Sequence, residues 1–223
     1  MIAIVSRIGE WLPQGWGDLF RQLALYVFAD TGYELARGFA EGKASVAFAN
    51  GERIMDLQRA TGTFFEPSLQ ASLLDHQWLI DFANQVYMNS QFTVASAFLI
   101  WLYLFRNEAY YFVRNMLFVS MGLAQLFINP FAAVPSMHCA VALMIGGSGV
   151  VVSKSLFGKC FWGTWPLLVA SVTIVTANHY WIDAVLGWTV AVCSFLIAAR
   201  VLGKINPESW GWARVAALQR AGA

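Results

Sequence analysis

Charge is scarce in this sequence. Only 12% of its 223 residues are charged, 14 Lys and Arg against 13 Asp and Glu, while 58% are hydrophobic and the mean hydropathy is +0.56. A soluble domain carries about a quarter charged residues, so the deficit argues against one. A net charge of +1 leaves no bulk positive surface for nucleic acid. Cysteine is rare too: Cys139, Cys160 and Cys193 lie in apolar runs without metal or redox spacing and are expected to be reduced core residues. Met1–Val5 is too short an apolar stretch for a signal peptide, and Arg7 and Glu10 follow at once. No repeat or low-complexity segment is evident. What abounds is aromatic, with 17 Phe and 10 Trp. The composition predicts an integral membrane protein of one domain, mostly helical.

Taken in order, residues 1–16 read as an interfacial lead-in with Trp11, Pro13 and Trp16. A membrane domain is expected over 17–202, with spans at 17–40, 78–104, 109–128, 136–153, 160–177 and 180–202. The first is poor, because Arg21, Asp30, Glu34 and Arg37 interrupt it, and charges inside a span face protein or water. Arg114 lies about two turns inside the third and is expected to snorkel. Residues 44–74 are too polar to cross. There Ile54, Leu57, Phe64, Phe65 and Leu69 alternate with Glu52, Arg53, Asp56, Arg59 and Glu66, which predicts an amphipathic segment on the membrane surface. Residues 203–223 form a polar, cytoplasmic tail. The fold class is all-α: a six-transmembrane-helix bundle with a surface segment between its first two helices.

Six crossings put the starts of the fourth and sixth spans on one side, together with residues 41–76. Of the 14 basic residues, only Arg37, Lys43, Arg53 and Arg59 fall on that side. Positive charge marks the cytoplasm, so this side is expected to be extracytoplasmic in a multi-pass, bacterial inner-membrane protein.

The chain is organised around Asn178-His179-Tyr180-Trp181-Ile182-Asp183. His179 and Asp183 are four apart, so on a helix they share a face, one turn from each other. A carboxylate there takes the proton of one imidazole nitrogen and leaves the other electron-rich. A proton donor is available in His138 of Pro135-Ser136-Met137-His138. Pro135 fixes the chain before a helix and Ser136 is a good N-cap, with Asn178 in the same role for the sixth span. Two helix N-termini, each with a histidine, make a pocket for an anion such as phosphate, which Ser136, Met137 and Asn178 would line. One imidazole attacks phosphorus in line and the other protonates the departing oxygen. No metal or other cofactor is called for.

Blander roles compete for other residues. His76 reads as interfacial, Arg106 and Arg114 as topology anchors, and Trp162, Trp165, Trp181, Trp210 and Trp212 as an interface belt. Asp30, Glu34 and Asp81 read as structural. Gly146-Gly147-Ser148-Gly149 resembles the Gly-x-Ser-Gly of rhomboid proteases, with His179 as partner. Ser148 would lie about 15 Å deeper than His138 along a helix, however, so its small neighbours read as helix-packing residues. A transporter or a non-catalytic membrane protein would need no histidine pair.

Phe131-Ala132-Ala133-Val134-Pro135-Ser136-Met137-His138 and Thr176-Ala177-Asn178-His179-Tyr180-Trp181-Ile182-Asp183 resemble the second and third signatures of the type 2 phosphatidic acid phosphatase (PAP2) superfamily. They look most like its branch related to inositol phosphorylceramide synthase. Asn50-Gly51-Glu52-Arg53 through Glu66-Pro67-Ser68-Leu69-Gln70 is similar to a segment of bacterial members. The resemblance implies a cofactor-independent lipid phosphatase or phosphotransferase with a phosphohistidine intermediate. His179 would be the nucleophile, Asp183 its orienting carboxylate and His138 the acid. The implied partners are the bilayer and a phospholipid or prenyl-phosphate substrate. The sequence departs from the superfamily at Thr173, where an arginine is usual. It also lacks a basic first signature, passing straight from Leu126-Phe127-Ile128 to Asn129-Pro130. A transferring phosphoryl group needs its charge offset, and Arg53 or Arg59 is the expected substitute. If a loop is missing instead, Ile128 and Asn129 would lie much farther apart than about 3.8 Å.

Overall fold

Each long apolar run folds into helix, and the described residues contain no strand. The computed structural model describes residues 9, 11–38, 44–127 and 134–205. Most of the expected lead-in, the Ile128–Asn129 junction, Lys43 and the tail from 206, with Trp210 and Trp212, lie outside them. The helices are α1 (Gly15–Gly38), α2 (Ala44–Ala60), α3 (Glu66–Leu73), α4 (Gln77–Asn89), α5 (Ala95–Phe105), α6 (Asn107–Phe127), α7 (Met137–Val152), α8 (Leu156–Val175) and α9 (Trp181–Ile197). A π-helical turn, Ser90–Val94, joins α4 to α5 in one rod, and another, Ala198–Leu202, prolongs α9.

Helices thus stand where the six spans are expected, but two stretches, Gln77–Phe105 and Trp181–Ile205, are long and apolar enough to cross a bilayer by length and composition. Arg21, Asp30 and Glu34 dilute α1, and Glu108, Arg114 and Asn115 dilute α6. α7 is apolar but shorter. Large apolar side chains such as Phe28, Phe92, Phe105 and Phe157 are exposed on the outer faces, as in helices whose backbone bonds are satisfied internally and whose side chains meet lipid.

α7 is the central helix and packs chiefly on α8 and α9. Its small residues make this possible: Cys139, Ala140, Ala142, Gly146 and Gly149 are buried. A Cβ on Gly149 would come within 2.3 Å of the Trp162 ring, so the glycine-serine run serves close packing. Ser148 lines a cavity with Phe112 and Phe195, whereas His179 lines a different one, and no hydrogen bond joins the two among the described residues. The serine–histidine alternative therefore has no geometric basis. Trp162 and Trp165 pack on each other inside the bundle rather than forming an interface belt. Arg114 does not snorkel. It is buried, donates to Asn115 Oδ1 and Gln22 Oε1, and lies over the rings of Tyr111 and Phe118. Buried amide acceptors hold the guanidinium where water would otherwise be needed.

Candidate active site

The starts of α7 and α9 meet. The Ser136 N–H donates to the Asp183 carbonyl at 3.1 Å. A Cβ on Gly187 would fall 2.2 Å from the Ser136 carbonyl oxygen, so only glycine lets the two helices approach this closely here. Ser136 is the N-cap of α7 as expected, its Oγ accepting from the Cys139 N–H at 3.3 Å. It is fully buried, so its hydroxyl serves the helix rather than facing a cavity. His138, in the first turn of α7, stacks on Tyr87 with ring centroids 4.3 Å apart. Its ring lies 6.0 Å from that of His179.

α9 begins later than the sequence predicts. Its N-cap is Tyr180, not Asn178, and His179 precedes the helix. The chain leaves α8 through Ala177 at φ 58, a left-handed residue that costs roughly 1–2 kcal/mol for a non-glycine. This bend lets the N–H groups of both Asn178 and His179 donate to the Thr173 carbonyl, each at 3.1 Å, in the manner of a helix C-cap. Asn178 is exposed and its amide donates to Thr176 instead of capping α9. Thr173 is buried, and its hydroxyl donates to the Ala170 carbonyl.

His179 and Asp183 meet all the same, though not as neighbours on one helical face. Asp183, the third residue of α9, turns back so that its Oδ2 accepts from the Tyr180 N–H at 2.9 Å, half of a capping box. That places Oδ2 3.5 Å from His179 Nδ1, with both side chains buried. Nδ1 and Asp183 Oδ1 are buried without a hydrogen-bond partner. A small ring movement would join imidazole and carboxylate, the kind of tightening that catalytic contacts show when substrate binds.

A cavity of about 370 Å³ opens on His179 and Asp183. Its walls are the surface segment (Phe64, Glu66, Gln70) and the 177–183 turn where the fifth span passes into the sixth. Asn178 lines it, but Met137 does not, lining instead a separate cavity of about 110 Å³ with Gln91 and Arg114. The segment is pinned over the site by three long-range bonds. Gln70 Nε2 donates to the Ile174 carbonyl at 2.9 Å, Trp181 Nε1 to the Thr63 carbonyl at 3.2 Å, and the Trp181 N–H to Glu66 Oε1 at 3.1 Å. Residues 63–70 therefore share the histidine side, as the sequence predicts.

Among the described lining residues there is no Lys or Arg. Arg53 donates to Asn50 and Arg59 pairs with Asp56, both on the exposed face of α2. Arg59 also lies 5.1 Å over the Phe64 ring, which forms part of the cavity wall. Among the described residues no cluster of three His, Cys, Asp or Glu could hold a metal ion. Glu66, Tyr87, Gln58 and Gln70 were not candidates on sequence. The one hint was a Glu-Pro at a helix start inside the amphipathic segment.

Two facing imidazoles, one backed by a buried carboxylate, within an all-helical scaffold rich in exposed apolar side chains, are equipment for nucleophilic group transfer with acid assistance. The sequence model of the PAP2 superfamily matches residues 52–128 and 122–197. The chain belongs to the PAP2 superfamily, whose members are phosphatases. The match is divided at 122–128, next to the place where the basic first signature is missing. No curated protein and no solved structure matches the chain significantly.

Proposed function

We propose that this protein is a lipid phosphatase or phosphotransferase that acts on a lipid-linked phosphate through a phosphohistidine at His179. The observation that carries this reading is the 6.0 Å separation of the His138 and His179 rings, with Asp183 behind His179. Nε2 of His179 attacks phosphorus while Asp183 steadies the positive charge arising on the ring. His138 protonates the departing oxygen as the P–O bond breaks. In the second half, water or an alcohol attacks, His138 takes its proton, and the P–N bond electrons return to His179.

The first-turn amides of Met137 and His138 have no acceptor inside α7 and face an anion favourably. Arg59, which lies over the Phe64 ring of the cavity wall, is the better substitute for the missing basic signature than Arg53, which is turned to Asn50. The membrane domain is a six-span bundle in a bacterial inner membrane with the site on the extracytoplasmic side, as the distribution of basic residues supports. The branch resembling inositol phosphorylceramide synthase would use an alcohol as acceptor.

The test is purified protein in detergent with a panel of phospholipids and prenyl phosphates, scoring free phosphate and headgroup exchange. Turnover on at least one lipid phosphate, with a bell-shaped pH profile and loss of at least about a thousandfold in His179→Ala, is the expected result. Turnover that survives His179→Ala would overturn the reading.

A further inference from the structure

Glu66 is 2% exposed, although nothing about an amphipathic surface segment requires a buried carboxylate. Its Oε1 accepts from Gln58 Nε2 at 2.7 Å and, across 115 residues of chain, from the Trp181 N–H at 3.1 Å. Its Oε2 is buried with no partner. Burying a carboxylate with one oxygen unmatched is expensive, and a neutral serine or asparagine would cap the helix as well. What the carboxylate adds is negative charge at the positive end of α9, together with a rigid tie. That tie runs to Trp181, two residues beyond His179, and Glu66, His179 and Asp183 line the same cavity.

We propose that Glu66 is a positioning residue for His179: lodged at the start of α9 and oriented by Gln58, it fixes the turn that carries the nucleophile and couples the docked surface segment to it. This rests on the reading of His179 as the nucleophile. The bend at Ala177 is itself held by backbone bonds to Thr173 and Ile174 on α8, and the Trp181 indole adds a bond to the Thr63 carbonyl. Without Glu66 the Trp181 backbone loses its tie to the α2–α3 side, leaving only the indole bond to the Thr63 carbonyl at that residue, and the imidazole samples orientations that miss Asp183 and the in-line direction. A misplacement of about 1 Å can cost a hundredfold in rate.

The test combines steady-state kinetics on the best lipid phosphate of the panel with carbethoxylation of His179 by diethyl pyrocarbonate, located by peptide mass spectrometry. Exposed His76 is the internal standard. Glu66→Ala should lower kcat roughly a hundredfold with KM within about twofold, and should quicken His179 modification relative to His76. Glu66→Gln keeps an oxygen for the Trp181 N–H and should recover at least about tenfold of that loss. Gln58→Ala should give a smaller loss of the same kind, and the Gln58→Ala/Glu66→Ala double variant should be no slower than Glu66→Ala. A raised KM with kcat unchanged, unaltered His179 reactivity, or a Gln variant as slow as the Ala variant would each overturn the proposal. If Glu66→Ala aggregates in detergent, Glu66→Gln and Gln58→Ala decide by the same criteria. If the wild type turns over no lipid phosphate, the proposed function falls, and the modification ratio still decides whether Glu66 holds His179.

Discussion

The beginnings of α7 and α9 lie side by side, yet they are finished differently. α7 is capped by a neutral hydroxyl, Ser136 Oγ, and its histidine stacks on Tyr87 with no carboxylate in contact among the described residues. α9 is capped by carboxylates, Asp183 on the Tyr180 N–H and Glu66 on the Trp181 N–H. The positive end of a helix attracts anions. At α7 that end meets no protein carboxylate among the described residues, while at α9 the protein's own anions already occupy it. On the proposed function the two starts would take different roles, α7 offering amides and an acid to the substrate and α9 supplying an electron-rich imidazole held in place.

Separating the two helix starts should have the largest effect. Gly187→Ala puts a methyl group 2.2 Å from the Ser136 carbonyl, and overpacking of this kind typically destabilises by about 1–3 kcal/mol. Because the clash is with backbone, we expect activity to vanish and the melting temperature in detergent to fall. An active Gly187→Ala would show that the two starts need not meet. Next, Asp183→Asn against Ser136→Ala sharpens the contrast within an intact contact. Removing the charge at α9 should lower kcat about a hundredfold or more, as expected when a base loses its orienting partner. Removing the cap at α7 should cost about 1 kcal/mol of stability and only a few-fold in kcat. Equal kinetic losses in the two variants, read from phosphate release, would erase the distinction.

Much of this arrangement was legible in the sequence. Long apolar runs located α4–α5, α7, α8 and α9 to within a few residues, and the two histidine motifs named His138, His179 and Asp183, whose side chains do converge. Local rules failed where tertiary contacts override them. Asn178 has the right chemistry for an N-cap, but the left-handed Ala177 turn and the paired bonds to Thr173 move the helix start to Tyr180–Trp181. Glu66 reads as one more charge on a solvated face, because its partners, Gln58 and above all Trp181, come together only when the surface segment docks. Arg114 reads as a snorkelling anchor for the same reason: Gln22, which accepts from it, lies 92 residues earlier in the chain.

The division of labour between the two histidines is tested most directly by trapping. His138→Ala should be incubated with an aryl phosphate whose leaving group needs no protonation, quenched in alkali and examined by peptide mass spectrometry. Phosphate should accumulate on His179, because attack proceeds while release, deprived of its base, is slow. Phosphate on His138 in the reciprocal His179→Ala protein, or on neither histidine in either variant, would contradict the account.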